Sequence, residues 1–165
     1  CRGCMRVRIL VRAQVSAALS ASGAGACAKA PRLDICSYTA AVIYGLSVSH
    51  ANLTHIHIAA MPAQSTTPGS QVIRHRYARQ TRATQMDIAV TDIDQTITDC
   101  LVDASFVEGL IIADSALHEQ LLSKEHLIET VDKLGLNRRG VVMARGVARC
   151  ADGLSESGGE SKARA

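Results

Sequence analysis

The stretch Thr91–Leu122, TDIDQTITDCLVDASFVEGLIIADSALHEQLL, constrains this chain more than any other. Its apolar residues recur at helical spacing. Ile97, Leu101, Ala104 and Ile111 share one face, and Leu110, Ala113 and Leu117 extend a second, overlapping stripe. The pattern predicts a buried strand end, a capped helix start and a long helical region that needs a partner surface. That surface has to be aliphatic: 47% of the 165 residues are apolar, yet there is one Phe, three Tyr and no Trp. The length suffices for one domain with its own core, and so large an apolar share excludes a disordered chain.

Residues 1–36 read as an N-terminal helix and a Gly/Ala linker. Val7, Leu10, Val11, Val15, Ala18 and Leu19 fit one helical face, with Arg6, Arg8 and Arg12 toward solvent. The segment imitates a secretory signal, but Ser, Gly and Ala dilute its middle and Arg12 interrupts it, so export is not expected. No run approaches the ~20 uninterrupted apolar residues that span a bilayer. Six cysteines without a second C-x-x-C to match Cys1 and Cys4 point to reduced thiols and a cytoplasmic setting. Opening on Cys1 and closing on a polar tail, the chain reads as a fragment of something longer.

Ser37 is placed to cap a helix that Gly45 ends. Thr54–Ala60 alternates Ile56 and Ile58 with His55 and His57, a half-buried strand, and residues 71–77 and 86–91 supply two more. The connections look too short for helical crossovers, so an antiparallel sheet is expected. Ser123 caps a helix that stops at Gly135, and Val141, Ala144, Ala148 and Ala151 mark the face of a last helix. Residues 155–165 read as loose. The expected class is therefore α+β: a small antiparallel sheet of about three strands packed with a helical C-terminal half. The central domain covers 37–153, and 154–165 is a polar tail.

Three clusters carry candidate chemistry. Residues 89–98, AVTDIDQTIT, resemble the nucleophile loop of haloacid-dehalogenase-type phosphohydrolases. That resemblance would make Asp92 the nucleophile, Asp94 the acid/base and magnesium the bridge to phosphate. Against it, fewer than 20 residues separate Asp94 from the later acidic look-alike at Asp114, and Gln95 stands where that loop has Gly. Asp92 as a helix cap accounts for the same residues. His55 and His57 form an H-x-H with His50 nearby, but no carboxylate or Cys completes a ligand set. They read as a solvent-facing pair, and neither metal nor cofactor is expected. Arg74, Arg76, Arg79 and Arg82 form the densest basic run, which fits either nucleic-acid phosphates or a charge-protected edge strand. Arg138, Arg139, Arg145 and Arg149 line the polar side of the last helix. A net charge of +3 demands no nucleic-acid partner by itself.

Taken in order, several segments resemble one actinobacterial family. SYTAAVIYGL is similar to its SH-x-SAA-x-x-x-GL helix through Ser37, Ala40, Ala41, Gly45 and Leu46. HIHI resembles its V-H-V-T strand. The segment from Asp87 resembles its V-T-S-x-x-R-T and V-x-D-L-A pattern through Val90, Thr91, Thr96, Asp99 and Leu101, with Gln95 replacing a basic residue. ADSALHEQLLSKEHL is similar through Ala113, Asp114, Ala116, Leu117, Leu122 and Leu127, and the C-terminal segment through Gly140, Ala148, Ala151, Asp152, Glu156, Ser157, Glu160, Ser161 and Arg164. This is the AbiEi-like, or type IV toxin–antitoxin antitoxin, group, often fused to a very-short-patch-repair-like endonuclease. The resemblance implies a non-catalytic scaffold in a DNA-associated transcriptional regulator, with DNA bound through domains absent here and a nucleotidyltransferase-type toxin as partner. It implies, alternatively, a fragment of a metal-dependent endonuclease that retains only Glu160 of its site. Thr91, Thr96, Asp99 and Asp114 would be architectural: the threonines at the turn, Asp99 in a helix first turn, Asp114 at a neighbouring helix start.

Overall fold

The structure, a computed structural model, describes residues 34–59, 72–75, 81–154 and 158–164. Strand β1 (Asp34–Ile35) leads into helix α1 (Ser37–Tyr44) and a 3-10 turn (His50–Leu53). Then come β2 (Ile56–Ala59), β3 (Val72–His75), β4 (Ala83–Gln85) and β5 (Ile88–Val90). Five helices follow: α2 (Ile93–Asp103), α3 (Phe106–His118), α4 (Lys124–Asp132), α5 (Val141–Cys150) and α6 (Gly158–Arg164). Among these residues no helix is long and apolar enough to cross a membrane. Of the predicted N-terminal helix and linker over 1–36, residues 1–33 lie outside the described residues, and Asp34–Ile35, read as linker, form the central strand β1.

The class is α+β, but the expected small antiparallel sheet of about three strands is wrong. The sheet has five strands in the order β3-β2-β1-β5-β4 and is mixed. β1 runs antiparallel to β2 and parallel to β5, β2 runs parallel to β3, and β4–β5 is an antiparallel hairpin. Three physical facts explain the difference. The central strand is only two residues long and begins with Asp, which strands disfavour, so alternation cannot reveal it. The hairpin turns through Met86 and Asp87 at φ 52° and 64°, a left-handed pair normally marked by Asn-Gly or Asp-Gly. Parallel pairing of β2 with β3 needs only about a dozen connecting residues, which residues 60–71 supply.

Two apolar clusters hold the layers. Ile35, Ile58 and Val90 from three adjacent strands pack with Ala40 and Ile43 of α1. The larger cluster joins Ile97 and Leu101 of α2 to Leu110 and Ile112 of α3, Leu127 and Val131 of α4, and Ala144 and Val147 of α5. Tyr38 and Ala41 of α1 belong to this second cluster, so α1 presents one face to the sheet and another to the helices. Gly45 ends it in left-handed conformation, as its placement predicts, and Leu46 N–H returns to the Ala41 carbonyl. Ser37 does not cap. Cys36 holds that position, and Ser37 takes φ 50° where the chain bends from β1 into α1.

The long helix expected across 91–122 is two helices. Ser105 accepts from Glu108 N–H and Glu108 reaches back, a capping box that restarts the chain after Ala104. Ser123 caps α4 as predicted, and Val141, Ala144, Ala148 and Ala151 are all buried along α5. The tail read as loose contains α6, which packs on α3.

Gly140 sits at the N-cap of α5 with φ 83°, and a Cβ there would lie 2.0 Å from the Val102 carbonyl oxygen of α2. Only glycine permits both that backbone and that approach. Gly140→Ala is expected to cost about 3 kcal/mol or more, read as a lower midpoint in urea denaturation.

Candidate functional site

Helix α2 organises the polar side chains. It starts where β5 ends, with Thr91 and Thr96 buried and their hydroxyls 2.7 Å apart. Thr96 Oγ1 also donates to the Thr91 carbonyl, 3.2 Å away. Asp92 Oδ1 accepts from Gln95 N–H at 2.9 Å, so this carboxylate caps the helix. Asp94 turns the other way and meets His126 Nε2 of α4 at 2.9 Å. The two carboxylates of the D-x-D motif therefore have separate partners. Among the described residues no group of three or more His, Cys, Asp or Glu is placed to hold a metal ion.

One and two turns further along, α2 faces a denser cluster. Asp99 is nearly fully buried and accepts from Arg138 Nη2 at 2.7 Å. It lies mid-helix, not in the first turn as the resemblance implied, and its work is to pair with the segment that leads into α5. Beside it His57 Nδ1 and His75 Nε2 are 2.8 Å apart, with ring centroids 5.0 Å apart and planes inclined by 24°. Tyr38 meets His57 edge-on at 5.4 Å and donates its hydroxyl to the Cys100 carbonyl at 3.4 Å. Five segments thus converge: α1, β2, β3, α2 and the approach to α5.

The electrostatics follow from burial. Burial first, then His75 and His55, pull the His57 pKa down to about 4. Burial lowers His75 as well; Asp103 and Asp99 oppose that, and Arg138 adds to it. Both imidazoles are therefore neutral at pH 7, one donating to the other. Burial followed by Asp99 raises the Cys100 thiol, and the Ser37 hydroxyl acts in partial opposition. Tyr44 is pushed up to about 12, by burial and then by Asp92 and Asp94. The cluster holds neutral imidazoles, a protonated thiol and a compensated carboxylate.

His57 corrects the expected solvent-facing pair. It is buried, while His55 is exposed and bonded to Thr54 Oγ1 at 2.8 Å. Its true partner comes from the neighbouring strand, and only the strand register brings the two together. Of the basic run, Arg82 is bonded to buried Asp34 and Arg74 is half-buried opposite Ile58. Arg76 and Arg79 lie outside the described residues. On α5, Arg145 and Arg149 both pair with Asp132 of α4. Asp114 is buried in α3 and accepts from Ser161 Oγ of α6 at 2.8 Å and from Asp152 N–H at 3.1 Å. Glu160 is exposed on α6, which Arg164 closes.

Removing the Arg138 guanidinium leaves the Asp99 carboxylate buried without its cation, although water reaches the arginine side of the pair. Arg138→Met is expected to destabilise the fold by about 2 kcal/mol in urea denaturation, with Asp99→Asn in the same background recovering most of the loss. Compared with protein-family models, with curated proteins and with solved structures, the chain matches none of them.

Proposed function

We propose that this chain is a non-catalytic scaffold domain of an antitoxin-like, DNA-associated transcriptional regulator acting in the cytoplasm. A nucleotidyltransferase-type toxin is the proposed partner, and DNA is engaged chiefly through other parts of the protein. One observation supports the reading above the rest: the acidic residues that could have served chemistry sit at joints. Asp92 caps α2, Asp99 holds Arg138, and Asp114 ties α3 to Ser161 and Asp152. The residues that carry the family resemblance, Thr91, Thr96, Asp99, Asp114 and Gly140, are the same ones that lock neighbouring segments. An aspartyl nucleophile of phosphoryl transfer works beside a bound cation and a separate acid/base. Asp92 has its own helix's N–H, and Asp94 is turned to His126.

The reading predicts no release of nitrophenolate from p-nitrophenyl phosphate with magnesium, and a loss of about 1 kcal/mol of stability in Asp92→Ala from the missing cap. Magnesium-dependent turnover that disappears in Asp92→Asn would sink it. DNA association through the basic run is measured separately, by fluorescence anisotropy on a short random duplex. The expected result is weak binding that falls with salt, with Arg76→Ala lowering the log–log salt slope by about one.

A further inference from the structure

The His57–His75 pair bridges β2 and β3, and β3 lies at one end of the sheet order. The four-residue β3 pairs with β2 alone among the described strands. Ile73, directly opposite His57, is exposed. The side-chain link at the end of this short ladder thus stands between a docked and an undocked edge strand.

We propose that this pair is a proton-operated latch, which holds β3 on the sheet when neutral and releases it when protonated. The geometry gives the reason. Neutral rings share one hydrogen bond, with one N–H pointing at the other ring's bare nitrogen. A first added proton brings charge into a buried site. A second makes both facing nitrogens donors, so the bond is lost and two like charges face each other with ring centroids 5.0 Å apart. The groups that reach the pair do not cancel this. His55 on β2 and Arg138 before α5 oppose protonation, Asp99 and Asp103 on α2 favour it, and Tyr38 on α1 presents a neutral ring edge. Asp99 is already compensated by Arg138. Arg74 of β3 lies opposite Ile58, one residue from His75.

The sign is that of a histidine whose folded pKa is depressed. The stabilisation is complete above the ordinary histidine value of 6.5 and is lost as pH falls toward the folded value of about 4. Undocking takes His75 to solvent and removes its share of the cover from His57, while α1 stays in place, so the depression is relieved in part and the opening constant of β3 rises several-fold between about pH 7.5 and about pH 5.

Amide exchange by NMR on the whole chain, corrected for intrinsic rates, reads this directly. Val72–His75 are expected to lose protection by that factor on acidification, while Leu110–Ala113 of α3 keep theirs. In His57→Gln the acid response of β3 is expected to shrink to the smaller part that His75 alone supplies. Unchanged protection of β3 at the lower pH would overturn the proposal, and so would equal loss in α3 or a full acid response retained in His57→Gln. Should that variant not fold, the wild-type comparison of β3 with α3 decides alone.

Discussion

The whole arrangement depends on α1 being buried on both sides. Every residue from Ser37 to Ile43 is inside, which an eight-residue helix tolerates only if its polar groups find partners in neighbouring segments. They do. The Tyr44 hydroxyl donates to the Thr91 carbonyl and Tyr38 to that of Cys100, so two of the three tyrosines pin α1 to the start and the middle of α2. Thr39 Oγ1 accepts from His57 N–H and fixes the same helix to the sheet. A chain without Trp has few large side chains with polar tips, and it places them where layers meet.

Around that helix, buried carboxylates do the joining that larger aromatic cores do by packing. Asp34 draws in Arg82 from the approach to β4, Asp99 draws in Arg138, and Asp114 gathers Asp152 and Ser161. Each links segments distant in sequence. A buried carboxylate is costly unless compensated, so each also selects one docking geometry over near alternatives. In this way the polar interior contributes to specificity where small aliphatic side chains leave the packing permissive.

What could be read beforehand was what short-range chemistry fixes. The Gly45 stop, the Asp92 and Ser123 caps, the strand through Ile56 and Ile58, and the inward face of α5 are local signals, and each appears in the structure, although His57 is buried where alternation sets it toward solvent. The capping box at Ser105 and Glu108 was also local, an S-x-x-E within an apolar run, and periodicity alone passed over it. Other features have no local sign. A two-residue central strand, a left-handed turn without Gly or Asn, and the docking of α6 through Ser161 depend on neighbours far along the chain. The histidine cluster is the plainest case. Alternation sets His57 opposite Ile56 and Ile58, but only the β2–β3 register supplies His75, and only α1 and α2 bury the result.

The same division bears on how the chain reaches its shape. Helices α2 to α5 meet across short connections, so their contacts form at little loop-closure cost. The sheet is different, because Ile35 must find Val90 across α1 and three intervening strands before β1 has both neighbours. Closure of the sheet around its shortest strand therefore carries the larger loop-closure cost.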